Sequence, residues 1–441
     1  MTVNEVREPP RTLGGALRGI GPSLIVTANI VGSGELIMTT ALGASAGFVA
    51  LWVILVSCAV KVVVQLEFGK HAIASGETTL LAFNRLPGPR WRSVSWSLIV
   101  WFAVKLIQLI QYGGIVGAVA LTLNLAFPWA ATSVWAWTCG FAASALVWWG
   151  RYRFIERTAI ALTATFSLVT LACAVLLQWT PYRITGSMLA QGLTLEIPAA
   201  AVGVALAAFG LTGVSADEII SYPYWCLEKG YATYTGARDQ SEQWAARARG
   251  WIRVMYIDAV ASMLIYTTTT AAFYVLGAAV LHKRGQVPEG SQIIAVLSGI
   301  YTETLGPGAM GLFLAAAVTV LFSTLFVACA SSTRMFTDAF SQFGLLSYHD
   351  ESARQRWFAV LAWVLPAIWT QLYLSVRAPL FMVTAGGIAL AALLLVVAFA
   401  AQQFRYRQLP VELRPSKTYD ILLWASISAI AAVGLMAAVL A

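Results

Sequence analysis

Two short stretches place carboxylates where an apolar sequence has no structural need of them. The first is Gly32-Ser33-Gly34-Glu35, inside the first long hydrophobic run, and the second is Gly210-Leu211-Thr212-Gly213-Val214-Ser215-Ala216-Asp217-Glu218. Glycine lets a backbone leave helical geometry, and a charge at membrane depth costs several kcal/mol. A bilayer tolerates such a break only where protein or a wet cavity surrounds it. Each break frees carbonyls on one side and leaves a helix N-terminus on the other. Glu35 and either Asp217 or Glu218 would then face one space, completed by Gly32, Ser33, Ser215 and carbonyls such as those of Ala28 and Gly210. Hard oxygens carrying two negative charges suit Mg²⁺, Mn²⁺ or Ca²⁺. A local reading stands beside this one. Ser215 and Glu218 have the spacing of a capping box, and Glu35 lies where a helix dipole favours an acid.

The elements that must position these residues are membrane helices. Of the 441 residues 59% are hydrophobic and only 11% charged, and the mean hydropathy is +0.75. Soluble domains carry roughly 25% charged residues, so the composition predicts an all-α polytopic membrane protein. Apolar stretches at 22–44, 47–73, 97–126, 132–150, 157–178, 197–227, 252–281, 307–340, 356–376, 379–403 and 420–440 predict about 11 transmembrane helices. Lysines and arginines crowd into alternate loops; the opposite loops hold only Arg183, Lys283, Arg284 and Arg377. That bias predicts a cytoplasmic N-terminus and an external C-terminus in a cell (inner or plasma) membrane. The polar stretch 1–18 reads as a short tail and not a cleavable signal. The charge of +8 fits basic loops beside anionic lipid, and its dispersal argues against a nucleic-acid partner. Five cysteines without a CxxC pair read as buried small residues. No histidine cluster, Walker loop or GxSxG element points to an enzyme or a bound cofactor.

Other polar groups lie within the spans. Lys105, Gln108 and Gln111 share the third, and Lys105 reads as a fixed countercharge to Glu35 or Asp217. The glutamines could line a cavity or tie helices together. Lys61 and Glu67 are wrongly spaced for a local pair, so Glu67 is expected to find a loop partner. Arg334 and Asp338, four residues apart, read as an intrahelical pair. The loop 228–250, with Trp244, Ala245 and Ala248 against Arg247 and Arg249, predicts a separate helix lying on the inner surface.

From Gly21-Pro22 to about Gly344 the chain resembles the Nramp family of divalent-metal transporters. "LGASAGFVALWVIL" (Leu42 to Leu55) is similar to the sequence after the family's opening helix. "RVMYIDAVASMLIY" (Arg253 to Tyr266), followed by "AAFYVLGAAVLH", is similar to its seventh helix. Gly32-Ser33-Gly34-Glu35 falls where the family has Asp-Pro-Gly-Asn, and Val214-Ser215-Ala216-Asp217 near its Val-Met-Pro-His. The resemblance implies a LeuT-like 5+5 inverted repeat with discontinuous helices 1 and 6. Its expected divisions are a tail (1–19), two repeats (20–180 and 195–403), and a loop with an extra helix (404–441). It implies a secondary transporter, expected as a monomer in the lipid bilayer, with a divalent cation as substrate and not as cofactor. The family's metal-binding aspartate aligns with Gly32, its asparagine with Glu35 and its methionine with Ser215. Lys105, Gln108 and Gln111 stand where it uses acids for proton passage. The expectation is therefore a hard ion of the Mn²⁺/Mg²⁺ type whose uptake is not tightly coupled to protons through the third helix; the alternative is another solute, an anion or small organic molecule.

Overall fold

The computed structural model describes residues 6–32, 34–149, 152–239, 241–287, 293–306, 308–348 and 350–440. Helices fill the expected apolar stretches: α1a (Pro22–Ile30) and α1b (Gly34–Ala46), α2 (Leu51–Ser75), α3 (Trp96–Ala126), α4 (Thr132–Trp149) and α5 (Tyr152–Leu176). The second half continues with α6a (Val202–Leu211) and α6b (Ala216–Lys229), α7 (Glu242–Leu276), α8 (Ala309–Gln342), α9 (Glu351–Val376), α10 (Pro379–Gln403) and α11 (Lys417–Leu440). Among the described residues eight helices are long and apolar enough to cross a membrane, or nine with the bent α1a–α1b pair, against the eleven expected. The only strands described are a two-residue hairpin, Arg90–Trp91 with Val94–Ser95.

The first and sixth helices are discontinuous, and their sequences explain why. The chain bends by 41° between α1a and α1b, and α1b opens on a π-helical turn, Gly34–Thr39. Between α6a and α6b, Gly213 takes a φ of +60°, where an L side chain is strained. Ser215 then restarts the helix. Its side chain accepts from Asp217 N (3.2 Å), and the Glu218 carboxylate accepts from Ser215 N (2.9 Å), which completes the capping box.

α3 packs on α8, α9 and α10, α6a on α10, and α2 on α7, while α11 lies along α10 and α2. Gly210 has a packing role of its own. A Cβ there would run into the backbone of Gly387 on α10, so the close crossing of α6a and α10 requires glycine. The surface helix expected over 228–250 is instead divided between two elements. Tyr231–Thr235 forms a short helix, and α7 already begins at Glu242, capped by Ser241. Trp244, Ala245 and Ala248 are buried as its first turns because the Trp244 indole donates to Gly236 O and Arg247 to Thr235 O.

Asp258 on α7 is buried and caps α1a from outside, accepting from Gly21 N (3.0 Å) and Ser23 N (2.8 Å). Those N–H groups have no intrahelical acceptor. Asp258→Ala is expected to cost about 1–2 kcal/mol, the worth of a good helix cap, and Asp258→Asn less. Thermal unfolding of the purified variants measures the difference; equal stability of Asp258→Ala and the wild type would refute the cap.

Candidate functional site

The two breaks meet. Gly34, the first residue of α1b, sits against Leu211 O at the end of α6a, where a Cβ would approach to 3.3 Å. Around this crossing Glu35, Ser215 and Asp217 are sealed from solvent, and Glu218 keeps 8% of its surface. The three carboxylates have different company. Glu35 accepts from Thr270 Oγ1 on α7 (3.1 Å) and, at 3.4 Å, from Gly32 N in the break, which also donates to Ile30 O at 2.7 Å. Glu218 accepts from its cap partner Ser215 and from the side-chain amide of Asn29, close to the end of α1a. Asp217 points the other way, to α3, accepting from Lys105 Nζ at 2.7 Å and from Tyr112 O–H at 2.9 Å. Gln108 supports that pair by donating to Tyr112 at 3.3 Å.

This geometry sorts the candidates. Glu35 and Glu218 remain as the acids at the breaks: Glu218 reaches across to Asn29 of α1a, while Glu35 bonds to α7 and to its own break. Lys105 neutralises Asp217, not Glu35. The Ala28 carbonyl accepts from Ser323 on α8 at 3.3 Å. Gln111 is buried against Gly386 of α10. Ser33 lies outside the described residues. Sequence reasoning missed Asn29. Because its amide N–H donates to Glu218, its oxygen Oδ1 is turned elsewhere, buried and without a hydrogen-bond partner. An uncommitted hard oxygen beside a carboxylate is a cation ligand in kind. The signal was an asparagine in an apolar helix three residues before the first glycine. Tyr112 could have been found from the stripe Lys105, Gln108, Tyr112, which repeats at helical spacing. Among the described residues no cluster of three or more His, Cys, Asp or Glu gathers at one point, so oxygens of other kinds must complete any coordination shell.

A cavity of about 1240 Å³ opens farther along α6b, on the side of the arginine-rich loops. Tyr224 and Glu228 of α6b, Arg334 and Asp338 of α8, Arg85 and Arg354 line it. Tyr224 is about 9 Å from Glu218 along the helix axis, at 1.5 Å per residue. The expected Arg334–Asp338 pair does not form. Arg334 instead makes a two-pronged bond to Glu228, while Asp338 accepts from Tyr224 O–H (2.5 Å) and Gln342 (3.0 Å). A fork matches a carboxylate across the helix gap better than one on its own helix. Glu67 pairs with Lys70 of its own helix and not with a loop. At the cavity rim, hydrogen bonding to His71 and the Arg85 charge hold the Glu77 carboxyl below its usual range.

The profile of the Nramp family, described as natural resistance-associated macrophage protein-like, matches residues 23–440. The chain belongs to the Nramp family. No curated protein matches it in sequence. A manganese transporter mutant from Eremococcus coleocola superposes with a TM-score of 0.71 at 16% identity, over 98% of this chain and 89% of that one. Mhp1, a nucleobase-cation-symport-1 family transporter with bromovinylhydantoin bound, gives 0.61 at 16% identity over 99% and 94%. MhsT in complex with L-phenylalanine gives 0.58 at 15% identity over 98% and 99%. At such identities the likeness is one of fold, the LeuT-like bundle with broken first and sixth helices.

At the first break, a Cβ on Gly32 would overlap the Thr324 hydroxyl of α8, which itself bonds Asn29 O at 3.3 Å. Gly32→Ala is therefore expected to cost about 1–3 kcal/mol as an overpacked site. Adding Thr324→Ala should recover part of that cost in thermal unfolding. Additive losses in the double variant would show that the two positions do not compete for space.

Proposed function

We propose that this membrane protein transports a hard divalent cation of the Mg²⁺/Mn²⁺ class by alternating access, binding it between the two breaks through Glu35 and Glu218. The observation that carries the reading is the crossing of α1 and α6 in an Nramp chain, where Glu218 bonds Asn29 from one helix to the other, Glu35 lies buried beside the first break, and the Asn29 oxygen has no hydrogen-bond partner. Ser215 has a neutral oxygen where the Nramp pattern has sulfur, and that oxygen already serves as a cap. The donor set is hard throughout, which weakens preference for softer transition metals. The lysines argue against an anionic substrate: Lys105 is neutralised by Asp217, and Lys61 donates to backbone carbonyls. The repeats 20–180 and 195–403 are the units that would rock against each other, with the Arg334–Glu228 cavity on the cytoplasmic side.

Protons do not pass through α3 in this scheme. Amides do not titrate, and Lys105 is committed to a buried ion pair. Proteoliposomes loaded with Mg²⁺- or Mn²⁺-sensitive dye are expected to fill with either ion, and a pH dye inside the same vesicles should report no matched acidification. Stoichiometric acidification would overturn uncoupled transport. Failure to take up any divalent ion would overturn the cation reading itself.

A further inference from the structure

Lys61 on α2 is fully buried, yet its nearest partners are carbonyls and not carboxylates. Its ammonium donates to Phe209 O (2.6 Å) and Thr212 O (2.5 Å), where α6a ends. Ser57, one turn earlier on α2, donates to the same two carbonyls at 3.2 and 3.0 Å and accepts from Thr212 Oγ1 at 3.1 Å. The break at Gly213 takes these carbonyls out of the helical ladder, and together they form the negative end of a half-helix dipole in a dry interior. Two carbonyls around one positive charge, themselves held in place by the Ser57 hydroxyl, are oxygen ligands of the kind that coordinate a monovalent cation, with the charge here supplied by a side chain.

We propose that Lys61 is a tethered cation filling a monovalent-cation site at the end of α6a, so that shortening it uncovers a site for Na⁺, K⁺ or a small alkylammonium. The ammonium has two consequences. It fixes α2 to the broken helix, and it makes the break's integrity independent of the salt around the protein.

The test is thermal unfolding of the full chain in detergent with EDTA present, so that no divalent cargo contributes and the result does not depend on the transport reading. Matched ionic strengths of choline, sodium, potassium and methylammonium chloride are compared. The wild type is expected to unfold at the same temperature in all four. Lys61→Ala should lose several degrees in choline and regain part of the loss in Na⁺, K⁺ or methylammonium. Lys61→Met, which fills the space without a charge, should stay low in every salt. Lys61→Ser leaves the same space with an added hydroxyl; it is read in the same way if the alanine variant does not accumulate, with methylammonium present throughout purification. Salt-independent loss in Lys61→Ala or Lys61→Ser, wild-type stability in Lys61→Met, or stabilisation of the wild type by Na⁺ over choline would each overturn the proposal.

Discussion

Glu35→Gln is expected to reduce divalent-cation uptake about a hundredfold while leaving the protein folded. A hundredfold corresponds to about 2.7 kcal/mol, modest for removing a full charge from the ligand set of a divalent ion in a site closed to water. The fold should survive because the amide keeps the shape and can still serve both neighbours. Its oxygen can accept from Gly32 N, and the Thr270 hydroxyl can rotate to accept from its N–H. Glu35 is the only carboxylate in α1a or α1b, so no nearby residue on that helix can replace the charge. Binding provides the second readout. Mg²⁺ should raise the unfolding temperature of the wild type by mass action and leave that of Glu35→Gln nearly unmoved. Wild-type uptake by the variant would reduce Glu35 to a helix-end residue and return Glu218 and Asn29 to consideration as the whole site.

The breaks were legible because they violate local rules. Glycine, serine and an acid inside an apolar span have few tolerable environments, and both such stretches prove to be helix ends facing each other. The capping role of Ser215 and Glu218 was legible for the same local reason. Pairings that cross between helices were not. Lys105 could be assigned a carboxylate partner from its cost of burial, but whether that was Glu35 or Asp217 depends on the rotation of α3 against α6b. Arg334 and Asp338 satisfied the spacing of an intrahelical pair, yet Glu228 and Tyr224 on α6b offered each a better partner across the cavity. Asn29 was invisible for a subtler reason. An asparagine in an apolar helix can be a tie between helices or a ligand, and only its bond to Glu218 shows which end of the amide is left over.

Lys105 and Asp217 should behave as one unit in a double-mutant cycle. Both are about 1% exposed, and their contact of 2.7 Å lies in the interior, where removing one partner leaves an uncompensated charge. Lys105→Met strands Asp217 with only the Tyr112 hydroxyl; Asp217→Asn leaves the ammonium facing a neutral amide. Each single change is expected to cost about 3–5 kcal/mol. The double variant Lys105→Met/Asp217→Asn removes both charges and keeps a hydrogen-bonding group for Tyr112, so it should recover most of that loss. Its stability should exceed that of either single variant, a coupling well above the few tenths of a kcal/mol seen for independent sites. Reversible denaturant unfolding in detergent measures the cycle. Additive single costs would mean that the two charges are solvated separately, and α3 would again be free to carry protons. Strong coupling would mean that the pair is a fixed strut between α3 and α6b, leaving Glu35 and Glu218 as the charges that meet the ion.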